Sequence, residues 1–145
     1  MHFEDSVLID QPVEKVFDYI ANPQNIPKWS GPPIEVRDVQ QSMPGQLKGG
    51  DKFTLVARFL GRRFDTPSEV TAYEPNRRLS LALLHELILP MVTYILEEVP
   101  GGTRLTQSVE AELGGFFRLV GPLLEGAGKR QARNDLQTLK NILEA

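Results

Sequence analysis

Cysteine is absent from all 145 residues. That removes disulfides, thiolate nucleophiles and cysteine metal sites together. Histidine is nearly as scarce: His2 and His85 are the only imidazoles and lie in different parts of the chain. This speaks against a two-histidine metal centre, and neither a metal nor a cofactor is expected. A dominant charge is lacking as well, since 16 basic and 19 acidic residues leave a net charge of -3. Such a balance gives no electrostatic reason to expect nucleic acid or an anionic membrane as a partner. Long apolar runs are missing too. The most apolar stretch, Leu79 to Leu96, is interrupted by His85, Glu86 and Pro90. Its charge-free piece, Leu87 to Leu96, falls short of the about 20 apolar residues needed to span a bilayer. The opening MHFEDSVLID is acidic and alternating, without the basic and apolar regions of an export signal. No membrane span is expected, and the cytoplasm is the default location. What is present, 41% hydrophobic and 24% charged residues, suits one globular domain covering 1–145.

The pattern opens on a strand, with Phe3, Val7 and Ile9 on one face and Asp5 breaking the alternation. The period then changes to that of a helix. Val13, Val16, Phe17 and Ile20 form one apolar stripe, with Pro12 in the first turn and Asp10 a nearby cap. Asn22-Pro23 ends this helix and starts a short second one carrying Ile26 and Trp29, before the Gly31-Pro32-Pro33 break. Strands follow at Ile34 to Val39, Phe53 to Phe59, Phe64 to Tyr73, Leu79 to His85, Ile88 to Glu98, and through Leu105 to Leu113. Pro67 hints at a sheet edge or a bulge, because proline cannot donate to a ladder. Gly115 to Glu144 reads as helical, with one stripe through Phe116, Leu119, Val120, Leu123 and Leu124 and another through Leu136, Leu139 and Leu143. Gly121-Pro122 and Gly126-Ala127-Gly128 predict a kink or break, since an interior glycine costs about 1 kcal/mol against alanine.

The phrase from Val7 to Ile20, with Asn22-Pro23, Pro27-Lys28-Trp29, Gly102 to Thr106 and Leu139-Lys140, resembles the SRPBCC superfamily of START-like helix-grip domains. The resemblance is to its polyketide cyclase/dehydrase-type branch and spans nearly the whole chain. It implies an α+β fold: a curved seven-stranded antiparallel sheet around a long C-terminal helix, two short helices after the first strand, and a cavity between sheet and helix. Relatives hold lipids, sterols, polyketides, hormones or quinones there, and a minority are catalytic. The glycine interruptions depart from the usual continuous final helix and put the cavity lid in question.

Candidate site residues follow from strand parity. His85 shares parity with Leu79, Leu81 and Leu83, so its imidazole is the weak catalytic candidate, as general acid or base. The plainer reading puts it at a strand end, facing solvent. Gln107 shares a face with Leu105, Val109 and Ala111, and Tyr94 with Val92 and Leu96. Each either orients a ligand or satisfies a neighbour in the core. Trp29 either stacks on a ligand or plugs the short helices onto the sheet. Phe53, Leu55, Phe59, Phe64, Phe117 and Leu124 are wall candidates, most of them expected in the core. Arg58 could anchor an acidic ligand, although Asp51, Asp65, Arg62 and Arg63 surround the same hairpin and favour exposed pairs.

The expected function is binding of a small, mostly hydrophobic molecule (lipid, polyketide or quinone-like) in that cavity. Two alternatives stay open: a cyclase or dehydratase using the same cavity, and a protein-interaction module with a filled core. In the last reading Met91 and Ile95 lie outside and suit a homodimer contact.

Overall fold

The computed structural model describes residues 1–43, 45–84 and 88–145. In chain order it contains β1 (His2–Ile9), α1 (Val13–Ile20), a 3-10 turn (Pro23–Asn25), α2 (Ile26–Trp29), β2 (Glu35–Gln40), β3 (Lys52–Phe59) and β4 (Arg62–Glu74). There follow β5 (Arg78–Leu83), β6 (Ile88–Val99), β7 (Gly102–Leu113), α3 (Phe116–Leu119) and α4 (Gly121–Glu144). The strands make one seven-stranded antiparallel sheet in the order β1-β7-β6-β5-β4-β3-β2. Strands β2 to β7 are thus a plain meander, and β1 closes onto β7. The sheet curls around α4, which packs along β1.

Alternation explains which face turns inward. On β7, Leu105, Gln107, Val109 and Ala111 are buried, while Arg104 and Glu110 are exposed. On β6, Val92, Tyr94 and Leu96 point in, whereas Met91 and Ile95 remain 42% and 37% exposed on the outer face. Asp5, which broke the pattern of β1, shares the inner parity and reaches Arg133 on α4 at 3.4 Å. The polar residue is a strut between strand and helix.

Val13, Val16, Phe17 and Ile20 of α1 are all buried, as their spacing predicts. Asp10 is not the cap of that helix: Pro12 occupies the N-cap position, without a side-chain bond. The Asp10 amide instead donates to Glu144 Oε2 at 2.8 Å, and Lys140 Nζ donates to the Leu8 carbonyl at 2.6 Å. These bonds pin the end of α4 to the end of β1. Asn22 does cap the next turn, its Oδ1 accepting from the Gln24 amide at 3.1 Å. Gly102 opens β7 at φ 141°, where a Cβ would lie 2.1 Å from the Ile9 carbonyl oxygen, so only glycine permits this approach to β1.

Two expectations are corrected. Strand β4 is interior, so Pro67 does not mark a sheet edge, and the register shift of β4 lies instead between Val70 and Ala72. The Pro67 carbonyl accepts from the Leu84 amide at 2.8 Å, just past the end of β5. Within a strand, N and C=O of one residue point the same way, so the missing donor faces the side where β5 stops. The C-terminal segment breaks only at Val120, and Pro122 then sits in the first turn of α4. Gly126-Ala127-Gly128 runs uninterrupted inside α4. At Gly128 a Cβ would lie 2.6 Å from Phe3 Cε1, so the missing side chain lets α4 settle onto β1. The first leucine stripe is not buried as one face: Leu119 and Leu123 are 82% and 76% exposed, while Val120 and Leu124 are half-buried. The second stripe is buried as expected: Leu136, Leu139 and Leu143, joined by Ala132 and Asp135.

Helix α1 fills one end of the concave face. There Val16, Phe17, Leu79, Leu105 and Leu139 are at most 2% exposed, and the Phe17 ring meets Tyr73 edge-on at 5.5 Å. Each such side chain contributes roughly 1.5–3 kcal/mol by leaving water. The other end, under α2 and the first half of α4, is not filled.

Candidate functional site

That unfilled end is a cavity of about 240 Å³. Its walls are apolar: Phe3 from β1, Leu55 from β3, Leu81 and Leu83 from β5, Val92 from β6 and Val109 from β7. The helical side supplies Ile26 and Trp29 from α2, and Gly128 and Ala132 from α4. Ile34, also in the lining and 47% exposed, marks the mouth.

Polar groups are few, and they sit together. Trp29 and Tyr94 meet edge-on, with ring centroids 6.2 Å apart. Gln107 Nε2 donates to the Tyr94 hydroxyl at 3.3 Å. Antiparallel pairing of β6 and β7 places these two side chains opposite one another. Gln107 Oε1 and Trp29 Nε1 are buried without any hydrogen-bond partner. Leaving such a group unpaired costs roughly 1–3 kcal/mol, so two among the residues of one cavity call for an explanation.

Asp135 completes the cluster from α4. Its Oδ1 accepts from the Gly31 amide at 2.8 Å and its Oδ2 from Gln131 Nε2 at 3.3 Å. Burial pushes its pKa up to about 6, against the lowering effect of those two bonds. The Tyr94 hydroxyl is raised as well, first by burial and then by the nearby charge of Asp135, with the Gln107 bond acting the other way. Gln131 lies one turn before Asp135 and also holds the mouth. Its Nε2 donates to the carbonyls of Gly31 and Ile34 at 2.9 and 2.7 Å, and its Oε1 accepts from the Ile34 amide at 3.2 Å. Two side chains one turn apart on α4 therefore fasten the segment from Gly31 to Ile34 that rims the cavity.

The structure brings together four side chains singled out from the sequence, Trp29, Leu55, Tyr94 and Gln107. The others lie outside the described lining of this cavity. Phe53 is buried in the core, Phe59 is half-buried near the end of β3, and Phe64 is half-buried opposite Ala57. Phe117 sits on α3 and Leu124 on the first turns of α4, both half-buried. His85 lies outside the described residues. Arg58 is exposed on β3 and does not line the cavity. Sequence reasoning missed Asp135, Gln131 and Gly128. A signal was present, because Gly128, Ala132, Asp135, Leu136 and Leu139 recur at helical spacing on one face. A carboxylate on that face is buried by the same geometry that buries the leucines.

A second hollow at the loop from Gln41 to Lys52 is larger, about 690 Å³, but lined mainly by polar side chains such as Gln46, Lys48 and Asp51. It lacks the apolar walls that favour small-molecule binding. Among the described residues, no group of three or more His, Asp or Glu side chains is placed to hold a metal ion. No helix among them is long and apolar enough to cross a membrane.

A curled antiparallel sheet closed on a long C-terminal helix, with an apolar cavity between them, defines a START-like protein of the helix-grip fold. The chain belongs to the family described as polyketide cyclase / dehydrase and lipid transport, whose model matches residues 1–144. Among solved structures it is similar to a protein of Thermus thermophilus, at 15% identity and a TM-score of 0.80, with 99% of this chain and 97% of that one covered. A Bacillus halodurans protein solved in solution gives 19% identity and a TM-score of 0.78, covering 99% and 97%. The di-domain ARO/CYC protein BexL of the BE-7585A biosynthetic pathway gives 21% identity and a TM-score of 0.74, covering all of this chain and 50% of that one. At these identities the likeness carries the fold alone. Among curated proteins none matches the chain.

Proposed function

We propose that the chain binds a small, mostly hydrophobic molecule in the cavity between sheet and α4. Family membership supports a ligand-binding or cyclase role, and the carrying observation is the cavity itself: about 240 Å³ walled by Phe3, Leu55, Leu81, Val92 and Val109 and left open by the packing. Natural cores leave few voids larger than a water, so space of this size on one wall of a small fold points to an occupant. An unfilled cavity also favours a binding protein over an interaction module with a filled core. The test is native mass spectrometry of the purified protein, followed by organic extraction. A reproducible adduct of one mass, lost when Ala132→Phe fills the cavity, is the expected result. An adduct that persists unchanged in that variant would contradict the reading.

One observation favours an enzyme as the second reading. Asp135, its pKa pushed up to about 6 beside Tyr94, faces the cavity with a carboxyl able to exchange a proton near neutral pH. In a cyclisation or dehydration this group would move the proton while the walls hold the chain folded. Conversion of a polyketide-like substrate that falls with Asp135→Asn while binding is retained would support this reading.

A further inference from the structure

Two residues that line the cavity, one from α2 and one from β7, each carry a polar atom that the protein itself leaves unanswered. Trp29 Nε1 and Gln107 Oε1 have no hydrogen-bond partner and no solvent contact, and their residues are only 6% and 9% exposed. Both side chains flank Tyr94, one through ring contact and the other through the 3.3 Å bond from Gln107 Nε2. The Tyr94 hydroxyl oxygen accepts from Gln107 Nε2, and the Gln107 amide oxygen is left over. We propose that the ligand is a neutral alcohol or phenol of one or two rings, whose single hydroxyl donates to Gln107 Oε1 and accepts from Trp29 Nε1. This rests on the cavity being a binding site.

The chemistry excludes the neighbouring classes. A hydroxyl is the smallest group that donates and accepts at one point. A ketone or quinone oxygen answers Trp29 and leaves the Gln107 oxygen facing another lone pair. A hydrocarbon answers neither. A carboxylate brings a second negative charge beside Asp135 and an acceptor against Gln107. Size sets the skeleton: about 240 Å³ lies below the roughly 300–1,000 Å³ usual for small-molecule sites, which suits one or two fused rings.

Isothermal titration of the wild-type protein with three matched probes tests the proposal. These are 2-naphthol, which donates and accepts, 2-methoxynaphthalene, which only accepts, and 2-methylnaphthalene, which does neither. The expected order of affinity follows that list, with 2-naphthol at least about tenfold tighter than 2-methylnaphthalene, because a site built to hydrogen-bond rejects the analogue lacking the group. Gln107→Leu should erase the preference for 2-naphthol over 2-methoxynaphthalene. Trp29→Phe should erase that of 2-methoxynaphthalene over 2-methylnaphthalene. Equal binding of all three probes would overturn the hydroxyl subsite while leaving the apolar cavity standing as a binding site. Binding of none would overturn both. Because the wild-type series decides by itself, a variant that fails to fold does not blunt the test.

Discussion

Replacing Asp135 by asparagine should stabilise the protein at neutral pH and lose that advantage in acid. Burial raises the Asp135 pKa from 3.8 to about 6. A carboxyl raised in the folded state binds its proton more tightly there than in the unfolded chain. Its ionised form therefore weighs against folding above the folded pKa. The penalty is relieved as pH falls through about 6 and is gone below 3.8. Converted at 1.36 kcal/mol per pKa unit, the full penalty is about 3 kcal/mol. Water entering the cavity screens the charge and reduces this to roughly 1–2 kcal/mol. Asparagine removes the charge and keeps an oxygen for the Gly31 amide 2.8 Å away, although its NH2 group, a donor only, loses the bond from Gln131 Nε2. Urea unfolding of wild type and Asp135→Asn from pH 4 to 8 checks the reasoning. The variant should be more stable by about 1–2 kcal/mol at pH 7.5, with the difference shrinking to nothing or reversing by pH 4. A variant equally destabilised at every pH would refute it, showing that the Gln131 bond outweighs the buried charge.

The helix glycines separate packing from propensity. Gly126→Ala should raise stability by up to about 1 kcal/mol, because the added Cβ meets nothing nearer than the tip of Arg130 at 3.8 Å. Gly128→Ala gains the same propensity but drives its Cβ to 2.6 Å from the Phe3 ring, so thermal melts should show no net gain and probe titrations a weaker Kd as the ring moves into the cavity. Leucines that look alike in sequence should also differ. Leu119→Gln and Leu123→Gln, at 82% and 76% exposed, should change unfolding free energy by less than about 0.5 kcal/mol. Leu139→Ala, fully buried, should cost about 2–5 kcal/mol in the same measurement.

Most of the sheet was readable from two-residue alternation, because each strand buries one face and a one-residue slip would turn its leucines to water. Tyr94 and Gln107 were legible as cavity groups for that reason: they share parity with Val92, Leu96, Leu105 and Val109 on paired strands. Helix α1 was readable from four apolar positions on one stripe. The C-terminal segment was not, because propensity and packing disagree there. Glycine at 128 weakens an isolated helix, yet here its missing side chain is what lets α4 reach Phe3. Asp135 and Gln131 escaped notice because polar residues on a helix are ordinarily assigned to its solvent face. Their roles depend on the segment from Gly31 to Ile34, about a hundred residues away in sequence, and no local pattern reports that meeting.

The proposed function requires that a small apolar molecule occupy the hollow under α2 and α4. Its most direct test is a two-dimensional NMR titration of the isotope-labelled protein with 2-methylnaphthalene, a probe indifferent to the hydroxyl subsite. Saturable shifts are expected at Leu81, Val92, Tyr94, Gln107, Val109 and Ala132, which line the cavity, and little change at Leu79, Leu105 or Leu139 in the closed end of the core. Shifts confined to the loop from Gln41 to Lys52, or none at saturating probe, would contradict it.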